Sequence, residues 1–377
     1  MRIFFLIALL FFHSNCFGQS ISSQTENSID SIFKSYDEGN SPGFAIGVIK
    51  ENKILYNKGF GLANLDYKIP ISSESAFSIA SVSKQFTAAC IALLIIEGKL
   101  SLETPVSDFV PSLKKYRDTI KVKHLIYNTS GITDCYKLKR PNGISWITFN
   151  YFDIDYCIDV SLQSDTLAFI PETKWDYTNV NYMLLTKIVE KVSGLPFREF
   201  AKKKLFDPLG MNSTFIHDDI TKVIENRVTP YNPRSKPYVE AYRNEGIFVS
   251  NEGQWIQHHR NTPHYGGSGV VTTMNDLLKW SQNFFTKEFG GDAFYNLMHT
   301  TGIFKHGKNN QAFGLHLDKY KGRDVFSWDG GDYGISTQII RFPKQKVAII
   351  ILSNMGNGRA FEKANKVAEI MIENGEL

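Results

Sequence analysis

Long hydrophobic runs are nearly absent from this 377-residue chain. The one clear run, Ile3–Phe12, is ten residues long, whereas a helix needs about 20 to cross a bilayer. It follows Met1-Arg2 and leads into short polar and small residues up to Gly18, a pattern typical of a signal peptide. We therefore predict export to the periplasm or medium, cleavage after Gly18 and no membrane span afterwards. A lipid on Cys16 is less favoured, because the residues before it are polar.

An excess of one charge is also lacking, because 42 Lys and Arg are balanced by 38 Asp and Glu. The net charge of +4 is small and spread along the chain. The densest basic run, Lys202–Lys204, has no interleaved aromatic residues and is typical of the wet face of a helix. Nucleic acid is therefore not a predicted partner. The sequence also has no internal repeat and no low-complexity tract.

Cysteine is scarce, and the histidines lack the spacing of a metal site. Cys90 is predicted to be a buried thiol. Cys135 and Cys157 are the one pair that we consider for a disulfide in an oxidising compartment, and the sequence leaves this open. His258-His259 are adjacent and poorly placed to bind one ion. We predict no metal and no cofactor. His264, just before Gly266-Gly267, either lines the cleft or is an ordinary loop histidine, and the loop residue is favoured.

The nucleophile elbow of many hydrolases is missing, since Val270 stands where Gly-x-Ser-x-Gly needs its last glycine. Instead, Ser81-Val82-Ser83-Lys84 opens an apolar helix that we predict over Val82–Glu97, with Gly98 as its stop. Residues three apart share a helix face, so the Lys84 amine can take the Ser81 proton if its pKa is lowered. The helix N-terminus favours the negative charge that develops in acyl transfer.

The Ser-x-x-Lys spacing alone is weak, because it also occurs at Ser31/Lys34 and Ser112/Lys115. Those pairs lie in short polar stretches, where a solvated serine and lysine are the better interpretation. Only Ser81 opens a long apolar helix, and its alternative role is that of an ordinary N-cap serine.

Tyr177-Thr178-Asn179 forms a second element, in a loop that enters an apolar segment starting near Tyr182. A phenol and an amide two residues apart can point into one cleft. Tyr177 would then act as general base or acid, and Asn179 would position Lys84 or a substrate carbonyl. The alternative is a structural loop tyrosine, because Tyr242-Arg243-Asn244 has the same Tyr-x-Asn pattern.

The third element is the segment 325–334, which carries Trp328, Gly330 and Gly331 after a β-like run. Adjacent glycines on an edge strand bring backbone close to a substrate and can offer an N–H to an oxyanion. Alternatively, the two glycines only form a hairpin turn.

Together these elements resemble the serine β-lactamase and penicillin-binding-protein superfamily, and within it the class C β-lactamase-like group of DD-peptidases, D-aminopeptidases and esterases. Six ordered segments carry the resemblance, namely Phe77–Thr87, His124–Ile132, Tyr177–Asn179, Pro208–Thr214, Gly267–Leu277 and the segment around Trp328. The resemblance implies Ser81 as nucleophile, Lys84 and Tyr177 as the proton-transfer pair, and Asn179 as a site ligand. It also implies an oxyanion hole formed by the backbone N–H groups of Ser81 and Gly331.

One position departs from this resemblance. The third motif of β-lactamases and DD-peptidases begins with Lys or His, and here Trp328 stands there. An indole offers one neutral donor, so a charge-assisted hydrogen bond worth roughly 1.5–3 kcal/mol is missing for a carboxylate substrate. A Trp-x-Gly motif is similar to that of the β-lactamase-like carboxylesterases. Asp329 and Asp332 further disfavour anions if they face the cleft. Only if the protein hydrolysed β-lactams as fast as esters would Arg341 or a basic side chain from the loop after Asn226 be the source of the missing charge.

Strand and helix patterns predict an α/β (α+β) fold with an antiparallel sheet flanked by helices, and the resemblance implies the β-lactamase/transpeptidase-like version. Phe44–Lys50 and Ile54–Phe60 should form a hairpin in the same sheet as the later strands. We predict a signal peptide at 1–18, an α/β domain at 19–104 and 266–377, and a mostly α-helical insertion at 105–265. The segment 226–264 is expected to be a long loop at the cleft mouth.

Three functional hypotheses follow. The favoured one is an exported serine hydrolase with an acyl-enzyme on Ser81, acting on esters, small amides or peptides. The second is a cell-wall DD-peptidase or β-lactamase, which Trp328 disfavours. The third, of another class, is a catalytically silent binding or regulatory protein of the same fold. The oligomeric state cannot be inferred from the sequence.

Overall fold

A computed structural model describes residues 21–143, 145–147, 149–164, 166–305 and 307–377. The predicted signal peptide, its cleavage site and Cys16 lie outside these residues. Within the described ranges, every helix is too short or too polar to cross a bilayer.

The described residues form ten α-helices, which are α1 Ser23–Asp37, α2 Lys84–Ile96, α3 Val122–Ile126, α4 Ile154–Leu162, α5 Asn179–Ser193, α6 Phe197–Ala201, α7 Lys236–Asn244, α8 Met274–Thr286, α9 Gly291–Met298 and α10 Ala360–Glu373. Shorter 3-10 turns lie at Ala80–Ser83, Val106–Asp108, Pro111–Tyr116 and Cys135–Lys137, and a π-helical turn at Lys202–Phe206.

The strands of the same residues are β1 Phe44–Lys50, β2 Lys53–Phe60, β3 Leu62–Asn64, β4 Ile69–Pro70, β5 Phe77–Ser78, β6 Phe215–Ile216, β7 Tyr231–Pro233, β8 Trp255–Gln257, β9 Val270–Thr272, β10 Ile303–Phe304, β11 Gly307–Lys308, β12 His316–Tyr320, β13 Arg323–Asp332, β14 Ile335–Phe342 and β15 Val347–Ser353. Six of them form the main antiparallel sheet, in the order β12-β13-β14-β15-β1-β2. The predicted hairpin β1-β2 is present, and the antiparallel α/β architecture is confirmed.

The sheet is covered by helices on both faces. Along β15, Ala348, Ile350 and Leu352 belong to one hydrophobic core, and Val347, Ile349 and Ile351 belong to another. This alternation follows from the two-residue repeat of a strand, and a fully apolar strand indicates burial on both sides. The first core includes residues of α2 and α8, and the second includes residues of α1 and α10.

Residues 105–265 contain α3 to α7 and the short strands β6 to β8. Their largest helix, α5, packs on α2 within the first core, where Leu184 and Val189 join Phe86 and Leu94. The two predicted domains thus share one core, and the division between them remains a prediction. The segment 226–264 is not one long loop, as we expected it to be. It contains the helix α7, which has Pro237 near its start and whose Tyr242 is fully buried.

The helix at Ser81 begins later than predicted. Residues Ala80–Ser83 form a 3-10 turn, and α2 starts at Lys84 rather than at Val82. Ala80 has a positive φ of 45°, a conformation that costs free energy for a residue with a side chain and often occurs at functional sites. The predicted stop is present, because Gly98 follows α2 with a φ of 70°.

A buried hydrogen-bond cluster links α2 to the sheet, and it gives a stability prediction. Gln85 Oε1 accepts bonds of 3.1 Å from both terminal nitrogens of Arg341 and from Trp280 Nε1. All three residues are fully buried, and burial lowers the pKa of Arg341 to about 9. We expect Gln85→Met to reduce the free energy of unfolding in urea by about 3 kcal/mol, because it leaves buried donors unpaired.

Gln163→Met is the control, because Gln163 is exposed and its replacement should change stability by less than about 0.5 kcal/mol. Equal stabilities of the two variants would show that Arg341 does not depend on this acceptor.

Candidate active site

A cleft of about 740 Å³ lies where the end of β13 meets the turn at Ser81 and the start of α5. Its aromatic lining consists of Tyr136, Trp146, Trp175, Tyr177, Trp328 and Tyr333, with His264 and His316 beside them. Its charged lining is acidic, because Glu245, Asp329 and Asp332 face it, and among the described residues no lysine or arginine joins them. The cleft thus combines apolar rings with carboxylates.

Ser81 lies in this cleft and contacts both predicted partners. Its Oγ is 2.7 Å from the Tyr177 hydroxyl and 3.2 Å from Lys84 Nζ. The other two Ser-x-x-Lys pairs are exposed on α1 and on the turn Pro111–Tyr116. The structure therefore brings Ser81, Lys84 and Tyr177 together, and it places the other pairs where the solvated interpretation put them.

Lys84 is fully buried, which sets its chemistry. Its Nζ donates to Asn179 Oδ1 at 2.8 Å and to the Gly267 carbonyl at 2.6 Å. Burial lowers the pKa of Lys84 to about 7, although Asp134 and Asp329 oppose this shift. A neutral amine has two N–H groups and one lone pair. Since Asn179 Oδ1 and the Gly267 carbonyl can only accept, the lone pair is left for the Ser81 hydroxyl.

Tyr177 is the second side chain in contact with Ser81 Oγ. Burial raises its pKa, whereas the hydrogen bond with Ser81 lowers it by a smaller amount. The phenol is therefore neutral near pH 7, and its hydroxyl can donate a proton. Lys84 Nζ also lies 4.7 Å from the centre of the Tyr177 ring, so the amine and the phenol are neighbours as well as partners of Ser81.

Asn179 is the first residue of α5. Its side chain contacts Lys84 through Oδ1 and donates through Nδ2 to Asp134 Oδ2 at 3.1 Å. Sequence reasoning missed Asp134, because the residues around it indicate only a turn that this carboxylate caps. Its partner lies 45 positions away, and no local pattern reports such a pair.

Strand β13 runs beside the Ser81 turn. A Cβ on Gly330 would collide with Thr337 Oγ1 and with the Ile79 carbonyl, so only glycine allows this approach. Gly331 lines the cleft, and a Cβ there would have no atom within 4 Å. The glycines lie within the strand, and the turn itself is at Tyr333-Gly334, which removes the hairpin-turn alternative. The oxyanion role of Gly331 and Ser81 stays a prediction.

The outer edge of β13 is open at the cleft. β12 pairs with β13 only up to Ser327, whereas residues 328–332 pair with β14 alone. Trp328 is 6% exposed, and its indole packs edge-on against His316 at 4.6 Å between ring centres. The third-motif position therefore presents a ring and no charge.

Arg341 and Arg260 are the two candidate sources of the positive charge that Trp328 does not provide. Arg341 is fully buried on Gln85 and cannot reach a substrate, so it is ruled out as a candidate source of charge. Arg260, from the segment 226–264, binds Asp332 at 3.1 Å and donates to His264 Nδ1 at 3.1 Å. His264 lies in an irregular loop and also lines the cleft, where it is 6% exposed, so the less favoured cleft position is the one observed. Arg260 is far from Asp332 in the sequence, and no local pattern indicated their contact.

The three cysteines among the described residues are buried free thiols. A hydrogen bond with Cys157, together with burial, raises the pKa of the Cys135 thiol. Cys135 and Cys157 are thus neighbours without a disulfide between them, and Cys90 is the buried thiol that the sequence predicts.

Known proteins are similar to this chain in sequence and in fold. The family model described as Beta-lactamase matches residues 29–370. Penicillin-binding protein 4* of Bacillus subtilis is 28% identical over 346 residues, which cover 89% of this chain and 73% of that protein. The D-aminopeptidase of Gluconobacter oxydans is 24% identical over 314 residues, which cover 83% of this chain and 56% of that protein.

A solved structure extends the likeness to the fold. D-amino acid amidase from Ochrobactrum anthropi superposes with a TM-score of 0.75 at 22% identity, covering 93% of this chain and 100% of that chain.

The burial of Lys84 gives a prediction that needs no substrate. Between about pH 7 and 10.5 the unfolded Lys84 binds a proton that the folded one lacks, so stability rises with pH in this window. From pH 7 to pH 9, the free energy of unfolding of the wild type should rise by about 2 kcal/mol relative to that of Lys84→Met. Denaturant titrations at both pH values measure the difference. Lys191→Met, at an exposed position of α5, should show no such change relative to wild type.

Proposed function

Since this chain belongs to the beta-lactamase family, we propose that it is an exported serine hydrolase whose Ser81 forms an acyl-enzyme with esters, small amides or peptides. The observation that carries the proposal is the position of Ser81 Oγ, which contacts the Tyr177 phenol and the Lys84 amine at the same time. A serine that serves only as a helix cap needs neither contact. Export rests on the sequence of residues 1–18.

The reaction begins with the neutral form of Lys84. Its lone pair takes the Ser81 proton, and Oγ forms a bond to the carbonyl carbon of the substrate. The carbonyl electron pair moves to oxygen, where the N–H groups of Ser81 and Gly331 are the proposed donors. Such general acid–base help contributes roughly 10²–10⁴-fold in rate.

Collapse of this intermediate breaks the bond to the leaving group. Tyr177 gives the leaving group its proton and is reprotonated from Lys84, which lies against its ring. Water then attacks the acyl carbon, with the same two residues acting in the opposite direction. The product acid departs, and the Ser81 hydroxyl is restored.

The lining of the cleft supports neutral or amine-bearing substrates. Asp332 is paired with Arg260, whereas Asp329 and Glu245 form no ion pair among the described residues and line the cleft. Carboxylates beside aromatic rings attract an ammonium group and repel a carboxylate. A D-aminopeptidase is among the relatives, which supports amides with a free amine. A DD-peptidase or β-lactamase and a silent binding protein remain the alternatives that the following experiments separate.

A fluorophosphonate probe tests the nucleophile. We expect intact-mass analysis to show one adduct on the wild type and none on Ser81→Ala, because among the described serines Ser81 is the one that contacts both a buried lysine amine and a phenol. Ser112→Ala, which removes the serine of an exposed Ser-x-x-Lys pair, should be labelled like the wild type. An unlabelled wild type, or equal labelling of Ser81→Ala, would favour the binding protein.

A substrate panel tests the role of Trp328. We expect p-nitrophenyl butyrate and D-alanyl p-nitroanilide to be hydrolysed with much higher kcat/KM than nitrocefin, because no cation at Trp328 holds a carboxylate. Trp328→Lys should shift the ratio towards nitrocefin, by about tenfold for each 1.4 kcal/mol that the new contact supplies.

Trp175→Lys is the matched control, since it adds the same charge elsewhere in the cleft. Equal shifts in both variants would mean that net charge matters and the motif position does not. A wild type that hydrolyses nitrocefin as fast as the ester would overturn the substrate assignment.

A further inference from the structure

Asp134 is a buried carboxylate behind the Lys84 amine, and the mechanism above does not use it. It is 3% exposed. Its Oδ2 accepts from the Asn179 backbone N–H at 2.5 Å and from Asn179 Nδ2 at 3.1 Å. Among the described residues it forms no ion pair with a lysine or arginine, so these N–H groups compensate its charge. A buried carboxylate without such donors would be costly.

The contact with Asp134 determines which way the Asn179 amide points. An ionised carboxylate only accepts hydrogen bonds, so it must face the NH₂ group of the amide. Asn179 Oδ1 is then left on the opposite side, where it accepts from Lys84 Nζ at 2.8 Å. If the amide turned over, its NH₂ group would meet the amine and its oxygen would meet the carboxylate. Both contacts would become unfavourable.

Asp134 is itself held in place by its own turn. Its Oδ1 accepts from the Tyr136 N–H at 3.0 Å and from the Cys135 thiol at 3.6 Å. It also binds the first N–H group of α5, whose N-cap residue Thr178 makes no side-chain cap bond. The carboxylate therefore ties the turn Cys135–Lys137 to the start of α5 and supplies the negative charge that a helix N-terminus favours.

We propose that Asp134 is a positioning residue for Lys84, which it serves by holding the Asn179 amide with its oxygen towards the amine and by placing a buried negative charge behind that amide. This inference rests on the proposed function, since it assigns Asp134 to the base of that reaction. Asp134 acts through Asn179 and does not itself touch the substrate.

The negative charge of Asp134 should change the pKa of Lys84 in one definite direction. The ionisable groups around the Lys84 amine are Asp134, Asp329, Tyr177, Tyr182 and His264. Of these, Asp134 contributes the larger of the two charge interactions that raise the pKa of Lys84 against its burial. Removing that charge must lower the pKa of Lys84 further. A residue that only supported the fold would have no such effect.

The first experiment measures Lys84 directly by NMR on protein labelled with [ε-¹³C]lysine, with Lys84→Met to assign the signal. We expect a titration midpoint near 7 in the wild type and a midpoint lower by about one pH unit in Asp134→Asn. Asp134→Ser is the second variant, because serine retains an oxygen that can cap the turn. An unmoved midpoint in a folded Asp134 variant would overturn the proposal.

Asp153→Asn is the matched control. Asp153 also caps a turn of helix, by accepting from the Tyr156 N–H at the start of α4 at 2.9 Å, but it has no contact with the cleft. Its replacement should lower the melting temperature and leave the Lys84 midpoint and kcat unchanged. A shift of the midpoint in this control would mean that general destabilisation, rather than position, moves Lys84.

The second experiment measures kcat at pH 9, where the amine is neutral in every variant. Asp134→Asn should reduce kcat by about 10²-fold, because the amide is no longer fixed, with little change in KM. In an Asn179→Ala background the same change should cost less than about fivefold, since the residue through which Asp134 acts is gone. Equal losses in both backgrounds would overturn the proposal.

Failure of the proposed function is recognised separately. If Ser81 is not acylated in the wild type, the hydrolase assignment fails, whereas the NMR titration still reports whether Asp134 and Asn179 control Lys84. If Ser81 is acylated and the Asp134 variants match Asp153→Asn in both experiments, the hydrolase stands and the positioning role does not.

Discussion

The exclusion of water from the Lys84 amine is the constraint on which the rest of the site depends. An amine in water holds its proton near pH 10, and such an ammonium cannot take another from Ser81. Burial lowers the pKa of the Lys84 amine to about 7. The start of α5 and the loop that carries Gly267 pack over the start of α2 and cover this amine. The surrounding acceptors are neutral carbonyl oxygens. They satisfy the N–H groups of the amine without adding the charge that would keep it protonated.

The sheet supplies the second half of the site. β13 extends past its neighbour β12, and the open part of its edge carries Trp328 to Asp332 along the cleft. Gly330 allows this strand to approach the turn that holds Ser81, and Ala80 adopts its left-handed conformation at the same point. Ser81 is thus placed by a strained turn that packs against the strand. Such strain persists only when the surrounding packing is rigid.

The sequence allowed the fold to be predicted and the candidate catalytic residues to be named, because both depend on short patterns. Ser81, Lys84 and Tyr177 stand in motifs that can be read within a few positions, and the alternation of apolar residues in β1 and β15 reports the sheet. Asp134 could not be found in this way. It contacts Asn179, a partner 45 positions away in the chain, and its local role as the cap of a turn conceals that contact.

The pairing of β1 with β15 has a consequence for the order in which the molecule is made. Phe44–Lys50 finds its second neighbour only when Val347–Ser353 has been synthesised, about 300 residues later. Until then one edge of an apolar hairpin is open, and contacts this distant in the chain form slowly. Ser81 is synthesised well before Arg323–Asp332, the strand β13 that lies beside it. A nascent chain that has reached only the first of these segments therefore carries Ser81 without the strand that completes the cleft, and the cleft forms only with the finished sheet.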